Sequence, residues 1–147
     1  MNKDQFIQNV IEWANARKII QNGSLEGQHL KFIEEAGELA AAIARNNIEG
    51  IKDAIGDMCV VEVILSEMDE YALPALTYVD GGDDSHWDES RLIREMLDRI
   101  EAHDIATIAH RYNLTLEECW QAAWDAIKDR KGYMNEQGVF EIGRAHV

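Results

Sequence analysis

Two clusters of carboxylates stand close together in this chain: Glu34, Glu35 and Glu38, then Asp53 and Asp57, all within the stretch KFIEEAGELAAAIARNNIEGIKDAIGD from Lys31 to Asp57. Both lie in segments with a helical hydrophobic period. On a helix, Glu34 and Glu38 are i,i+4 neighbours, Glu35 and Glu38 are i,i+3, and Asp53 and Asp57 are i,i+4, so each pair projects from one side. Apolar residues interleave them (Ile33, Ala36, Leu39 and Ile43; then Ile51, Ile55, Met58 and Val61), which puts those sides at the edge of a packed core. Carboxylates crowded at a core edge repel, by roughly 4 kcal/mol for a pair about 4 Å apart at an effective dielectric near 20. A divalent cation offsets that repulsion. An oxygen-only ligand set suits Mg2+, Mn2+ or Ca2+ rather than zinc.

Helices must position these groups, and the chain reads as all-α. Helical periodicity spans roughly Asp4–Ile20, Leu25–Arg45, Ile48–Glu70, Glu89–Tyr112 and Thr115–Lys131, and strand-like alternation is nearly absent. Ser24 is placed to cap the second helix, and Thr115 with Glu118 has the capping-box spacing for the last. The short Asn46-Asn47 link makes the second and third helices an antiparallel hairpin. Glu38 and Asp57 are then offset along that hairpin by only roughly one helical turn, within reach of one site.

The bulk properties narrow the function. At 147 residues this is one domain, with 46% apolar residues and a net charge of −14. Such a charge argues against unspecific binding to nucleic acid or to anionic membranes, but not against a nucleotide that arrives with a metal. No apolar run is long enough to span a bilayer, and the N-terminus lacks the apolar core of a secretory signal. Cys59 and Cys119 read as buried free thiols. Glu26 and His29 supply one ExxH pair, where a ferritin-like di-iron site needs two such pairs with further glutamates. The final residues 142–147, IGRAHV, resemble read-through of a sequencing adapter; they are taken as a non-native tail, with the native chain truncated near Glu141.

With Glu34-Glu35-Ala36-Gly37-Glu38 followed by Gly56-Asp57, the chain resembles the MazG-like all-α nucleoside triphosphate pyrophosphohydrolases, whose pattern is EExxE, a spacer, then ExxD. Similar to the short phage-type forms are also WAxxR at Trp13 to Arg17, Gln28 to Lys31, IKDRKG at Ile127 to Gly132, Met134, and GVF at Gly138 to Phe140. Ala54 stands where the family has glutamate, and Asp53 is the expected substitute. The likeness covers roughly residues 5–68 and 105–141, leaving an insertion at about 69–104 within a MazG-like domain of residues 1–141.

The resemblance implies Mg2+-dependent hydrolysis of (deoxy)nucleoside triphosphates to monophosphate and pyrophosphate, with Mn2+ able to replace Mg2+. It implies metal ligation by Glu35, Glu38, Asp53 and Asp57, and catalytic roles for Glu34, Glu35 and Glu38, with Glu34 accepting the water proton. It also implies substrate contacts from Trp13, Arg17, Gln28, Lys31, Lys128, Arg130 and Lys131. The expected fold is a set of helical hairpins forming a four-helix-type core, completed by oligomerisation as a homodimer or homotetramer. The expected setting is the cytoplasm of a bacterium or of a phage-infected host cell. Two structural alternatives stay open: Trp13 as a core residue, and Lys128 to Lys131 as a basic helix end that complements the macrodipole. The rival function is a catalytically weak helical module that binds a nucleotide or a partner, which Ala54 keeps alive.

Overall fold

The computed structural model describes residues 1–77, 79 and 102–142. Among these the chain is mostly helical: α1 (Lys3–Ala16), α2 (Ile19–Asn22), α3 (Leu25–Ala44), α4 (Ile48–Met68), α5 (Ala102–Arg111) and α6 (Leu116–Ile127), followed by a two-stranded sheet of β1 (Gly132–Met134) and β2 (Phe140–Ile142). None of these helices is long and apolar enough to cross a membrane. The DGGDDSHWD stretch, and with it most of the expected insertion, lies outside the described residues.

Local chemistry accounts for the helix starts. In α1, Asn2 accepts from the Gln5 backbone N–H at 2.9 Å, and the Gln5 side chain accepts from the Asn2 N–H at 3.1 Å, a capping box. Ser24 caps α3 by accepting from Gly27 N–H at 2.9 Å. Asn47 caps α4 by accepting from Gly50 N–H at 3.0 Å. Thr115 and Glu118 close the expected capping box of α6 at 3.1 and 2.7 Å. Asn46, in the left-handed region at φ 50°, turns the chain between α3 and α4, as asparagine does at helix ends.

The core is built around α4, which packs against α1, α3, α5 and α6. It therefore buries residues on nearly all sides, among them Ile51, Ile55, Met58, Cys59 and Val63. Phe6 from α1 stacks on Trp120 from α6, with ring centroids 5.5 Å apart. Each large side chain fully buried here is worth about 1.5–3 kcal/mol of transfer free energy. Cys59 and Cys119 are free and buried, as expected.

The last helix, expected to run to about Lys131, ends at Ile127, and two further features differ from the expected elements. The helix expected over Asp4–Ile20 breaks at Lys18, which takes φ 57°; with no glycine or proline at the break, it rests on tertiary packing of Ile19. The described residues also end in strands where none were expected. Gly132 pairs with Ile142, Tyr133 with Glu141 and Met134 with Phe140, antiparallel. The loop is closed by the Asn135 side chain, which accepts from Gln137 and Val139 N–H at 2.9 and 3.0 Å. Gly138 supplies the φ of 76° that such hairpin loops require. Ile142, expected to be the first tail residue, thus takes part in the ladder.

Candidate functional site

A cavity of about 370 Å3 opens between α3, α4 and α6, a size suited to a small organic ligand. From α3 it receives Gln28, Lys31, Glu35 and Glu38, which share one helix face through i,i+3 and i,i+4 steps. From α4 come Asp53 and Asp57, with Val60, Val61 and Ile64 behind them; Ala123 and Ile127 of α6 form the opposite wall. Trp13, Ile19, Arg130 and Phe140 also line it. The hairpin of α3 and α4 therefore brings the two acidic clusters to one place.

The carboxylates are crowded. One oxygen from each of Glu34, Glu35 and Glu38 lies within 4.8 Å of the others. Glu35 is buried, only 6% exposed, and its Oε2 has no hydrogen-bond partner. Lys31 Nζ sits 2.7 Å from Glu34 Oε1 and 3.5 Å from Glu35 Oε1. Burial works against the Lys31 ammonium, but the hydrogen bond to Glu34 and the charge of Glu35 outweigh it and raise its pKa. One ammonium does not neutralise the cluster. Burial, then contact with the Glu38 carboxyl and the charge of Asp57, pushes Glu35 up to about 8. Burial, then the charges of Asp53 and Glu38, pushes Asp57 up to about 6, with Lys31 and Arg130 opposing.

Those shifts set a pH dependence. Both carboxyls titrate higher in the folded protein than their ordinary values of 4.5 and 3.8. The metal-free fold therefore keeps their full contribution below the unfolded values and loses it as pH rises through the folded ones. Its Tm is expected to fall between pH 5 and pH 8. In Glu35→Gln the fall should be shallower and the metal-free protein more stable at pH 8. A Glu35→Gln variant that melts below the parent at pH 8, or shows the same slope, would overturn this account of the buried carboxylate.

The sequence-derived substrate residues divide. Trp13 is both things at once: it is buried, donates from Nε1 to the Ile127 carbonyl at 2.9 Å, and still lines the cavity. Gln28, only 3% exposed, lines it too. Lys31 and Arg130 face the cavity; Lys128 and Lys131 are exposed and do not line it. Lys128 instead approaches Asp125 at 3.4 Å. Arg17 serves the fold instead of the cavity. Its guanidinium donates to the carbonyls of Arg130 (2.7 Å) and Lys128 (3.2 Å) and lies over the Trp13 ring at 4.9 Å. It ties α1 to the end of α6, in the manner of arginines near helix C-termini. Glu34 sits on the exposed rim rather than in the cavity. Ala54, at the family's glutamate position, is buried in the core and offers no ligand, whereas Asp53 beside it lines the cavity.

Phe140, the last residue of the GVF motif at Gly138 to Phe140, was given no site role from the sequence. It lines the cavity and meets Trp13 edge-on, centroids 6.0 Å apart at 84°. The signal for it was the turn Asn135 to Gly138 flanked by Tyr133-Met134 and Val139-Phe140, too short for periodicity to register.

No family model and no solved structure matches the chain. Over 63 residues, 43% of its length, the chain is 41% identical to an "Uncharacterized 18.2 kDa protein in rep-hol intergenic region" of Haemophilus phage HP1 (strain HP1c1). The matched stretch spans 39% of that phage protein.

Proposed function

We propose that this chain is a MazG-like, Mg2+-dependent pyrophosphohydrolase of phage type, which cleaves (deoxy)nucleoside triphosphates to monophosphate and pyrophosphate. The observation that carries the reading is the Glu35 carboxylate, buried with an oxygen that no donor satisfies, in a cavity it shares with Glu38, Asp53 and Asp57. A buried anionic oxygen without a partner is costly, and a divalent cation with oxygen ligands is the group that would satisfy it. Glu35 and Glu38, whose carboxylate oxygens lie with that of Glu34 within 4.8 Å of one another, would hold Mg2+, with Asp53 and Asp57 lining the same cavity as further ligands. When bound, the ion would neutralise phosphate oxygens and lower the pKa of the attacking water.

The chain's own residues supply the rest. Arg130 and Lys31 offer donors to phosphate oxygens from either side of the cavity. Water cleaves the α–β phosphoanhydride bond, its proton passes to Glu34, and pyrophosphate leaves with the bridging oxygen. Glu34 suits that role because its carboxylate is close to Glu35 and Glu38 yet open to solvent, where the proton can be given up. The nucleoside lies towards Trp13 and Gln28. Leu30 and Ile33, 51% and 66% exposed on α3, support the further proposal that a homodimer or homotetramer covers that face; a monomer mass by sedimentation would remove it. The cytoplasm of an infected host cell is the setting the reading implies.

One observation favours the rival. Ala54 leaves the site a carboxylate short of the family pattern, as expected of a helical module that binds a nucleotide without efficient turnover. Pyrophosphate release from a panel of NTPs and dNTPs, with and without Mg2+, separates the two. Mg2+-dependent release supports the enzyme. Mn2+ binding by calorimetry with no release from any nucleotide supports the module, and absence of both removes the site.

A further inference from the structure

We infer that the C-terminal hairpin is a working wall of this site: Phe140 closes the nucleoside end of the cavity and contacts the base, and a clasp between the hairpin loop and the start of α3 holds it there. The inference rests on the pyrophosphohydrolase reading and extends it to residues that reading did not use.

The clasp joins the backbone and hydroxyl of Ser24 to carbonyls of the hairpin loop. Ser24, the N-cap of α3, donates from its backbone N–H to the Gly138 carbonyl at 3.1 Å and from Oγ to the Gln137 carbonyl at 2.9 Å. The same Oγ accepts from Gly27 N–H, so one hydroxyl joins the helix cap to the hairpin. The approach leaves no room for side chains. A Cβ on Gly27 would stand 2.7 Å from the Gly138 carbonyl oxygen, and one on Gly138 would stand 2.5 Å from Ser24 Oγ. The loop is thereby registered on the helix that carries Gln28, Lys31, Glu35 and Glu38. Two residues beyond Gly138, Phe140 reaches the cavity and packs its ring against Trp13.

That placement gives the cavity an aromatic end. The rings of Trp13 and Phe140 are in contact there, and Gln28, one residue after the Gly27 that meets the Gly138 carbonyl, adds a buried amide to the same lining. A flat heterocycle fits such an end, because aromatic rings present stacking faces and edges to any base, while a glutamine amide offers one donor and one acceptor to a base edge. The ligand class at this end is therefore a nucleobase.

The experiment compares the full chain with Phe140→Ala, Phe140→Tyr and Ser24→Ala, measuring KM and kcat for the best dNTP of the panel and Mn2+ affinity by calorimetry. Phe140→Ala should raise KM about tenfold, the scale of losing one base–aromatic contact, with kcat and Mn2+ affinity within a factor of about two or three. Phe140→Tyr should restore KM. Ser24→Ala should raise KM in the same sense, because the wall is loosened rather than removed. If Phe140→Ala leaves KM unchanged while the parent turns over, the wall is not a base contact and only this inference falls. If KM rises but Phe140→Tyr does not restore it, the ring has no contact role. A parent that releases no pyrophosphate from any nucleotide removes the inference together with the reading beneath it. Should Phe140→Ala fail to fold, Phe140→Leu, which keeps the bulk but not the flat face, serves with the same outcomes.

Discussion

Asp57→Ala and Glu38→Ala should each abolish turnover, by about a thousandfold or more, the scale for losing a group that stabilises charge in the transition state, while the helical core stays folded. Asp57 and Glu38 come from the two helices of the α3–α4 hairpin and line one cavity, so removing either takes one carboxylate from the set proposed to hold the ion. The stability effect runs the other way. Asp57 is pushed up to about 6 by burial and by its acidic neighbours, which means its charged form is disfavoured in the metal-free fold. Deleting that charge should leave the metal-free variant as stable as the parent, or more so. In the parent, Mg2+ at about a hundred times its dissociation constant should stabilise by about 2.7 kcal/mol, which for a domain of this size is about 5–10 °C in Tm. In either variant the shift should vanish. Full activity, or an unchanged Mg2+-induced shift, would take that residue out of the site. A variant that loses activity by unfolding would show it in the melt itself.

Gly56→Ala should destabilise the protein by about 1–3 kcal/mol, the usual cost of overpacking a tight core. Helix propensity alone forecasts the opposite sign, since alanine is favoured over glycine by about 1 kcal/mol within a helix. Packing decides the outcome. A Cβ at Gly56 would collide with the carbonyl oxygen of Cys119 and stand 2.8 Å from the Ala123 Cβ. The obstacle is largely α6 backbone, which no rotamer change can move, so α4 and α6 must separate. Asp57 follows directly in sequence and Ala123 lines the cavity, so KM or kcat should worsen as well. Gly37 is the matched control. It too lies inside a helix, α3, but has nothing within 4 Å of an added Cβ, so Gly37→Ala should gain up to about 1 kcal/mol from propensity. Paired thermal melts check both signs. A Gly56→Ala protein that melts at or above the parent would mean the α4–α6 approach is looser than described.

The helices, their caps and the acidic pairs are legible in the amino-acid sequence by itself, and the reason is that all three are local. Periodicity reports on a face, a cap involves residues three positions apart, and Glu35–Glu38 or Asp53–Asp57 are neighbours on any helix that includes them. Even the meeting of the two clusters follows from one short link, Asn46-Asn47, because a hairpin so tight has little freedom in register. Tertiary packing alone decided which groups turn inwards. Past the end of α6 at Ile127, a turn in which the Arg130 N–H donates to the Ile127 carbonyl at 2.8 Å leaves Arg130 lining the cavity and Lys128 outside it. Arg17, chemically equal to Arg130, is spent on carbonyls brought to it by the contact between α1 and α6. Glu34 and Glu35, adjacent in sequence, are separated into an exposed rim and a buried wall. Adding Phe140 to the site likewise depended on contacts more than a hundred residues apart in sequence, such as Ser24 with Gly138, whose partners no local pattern names.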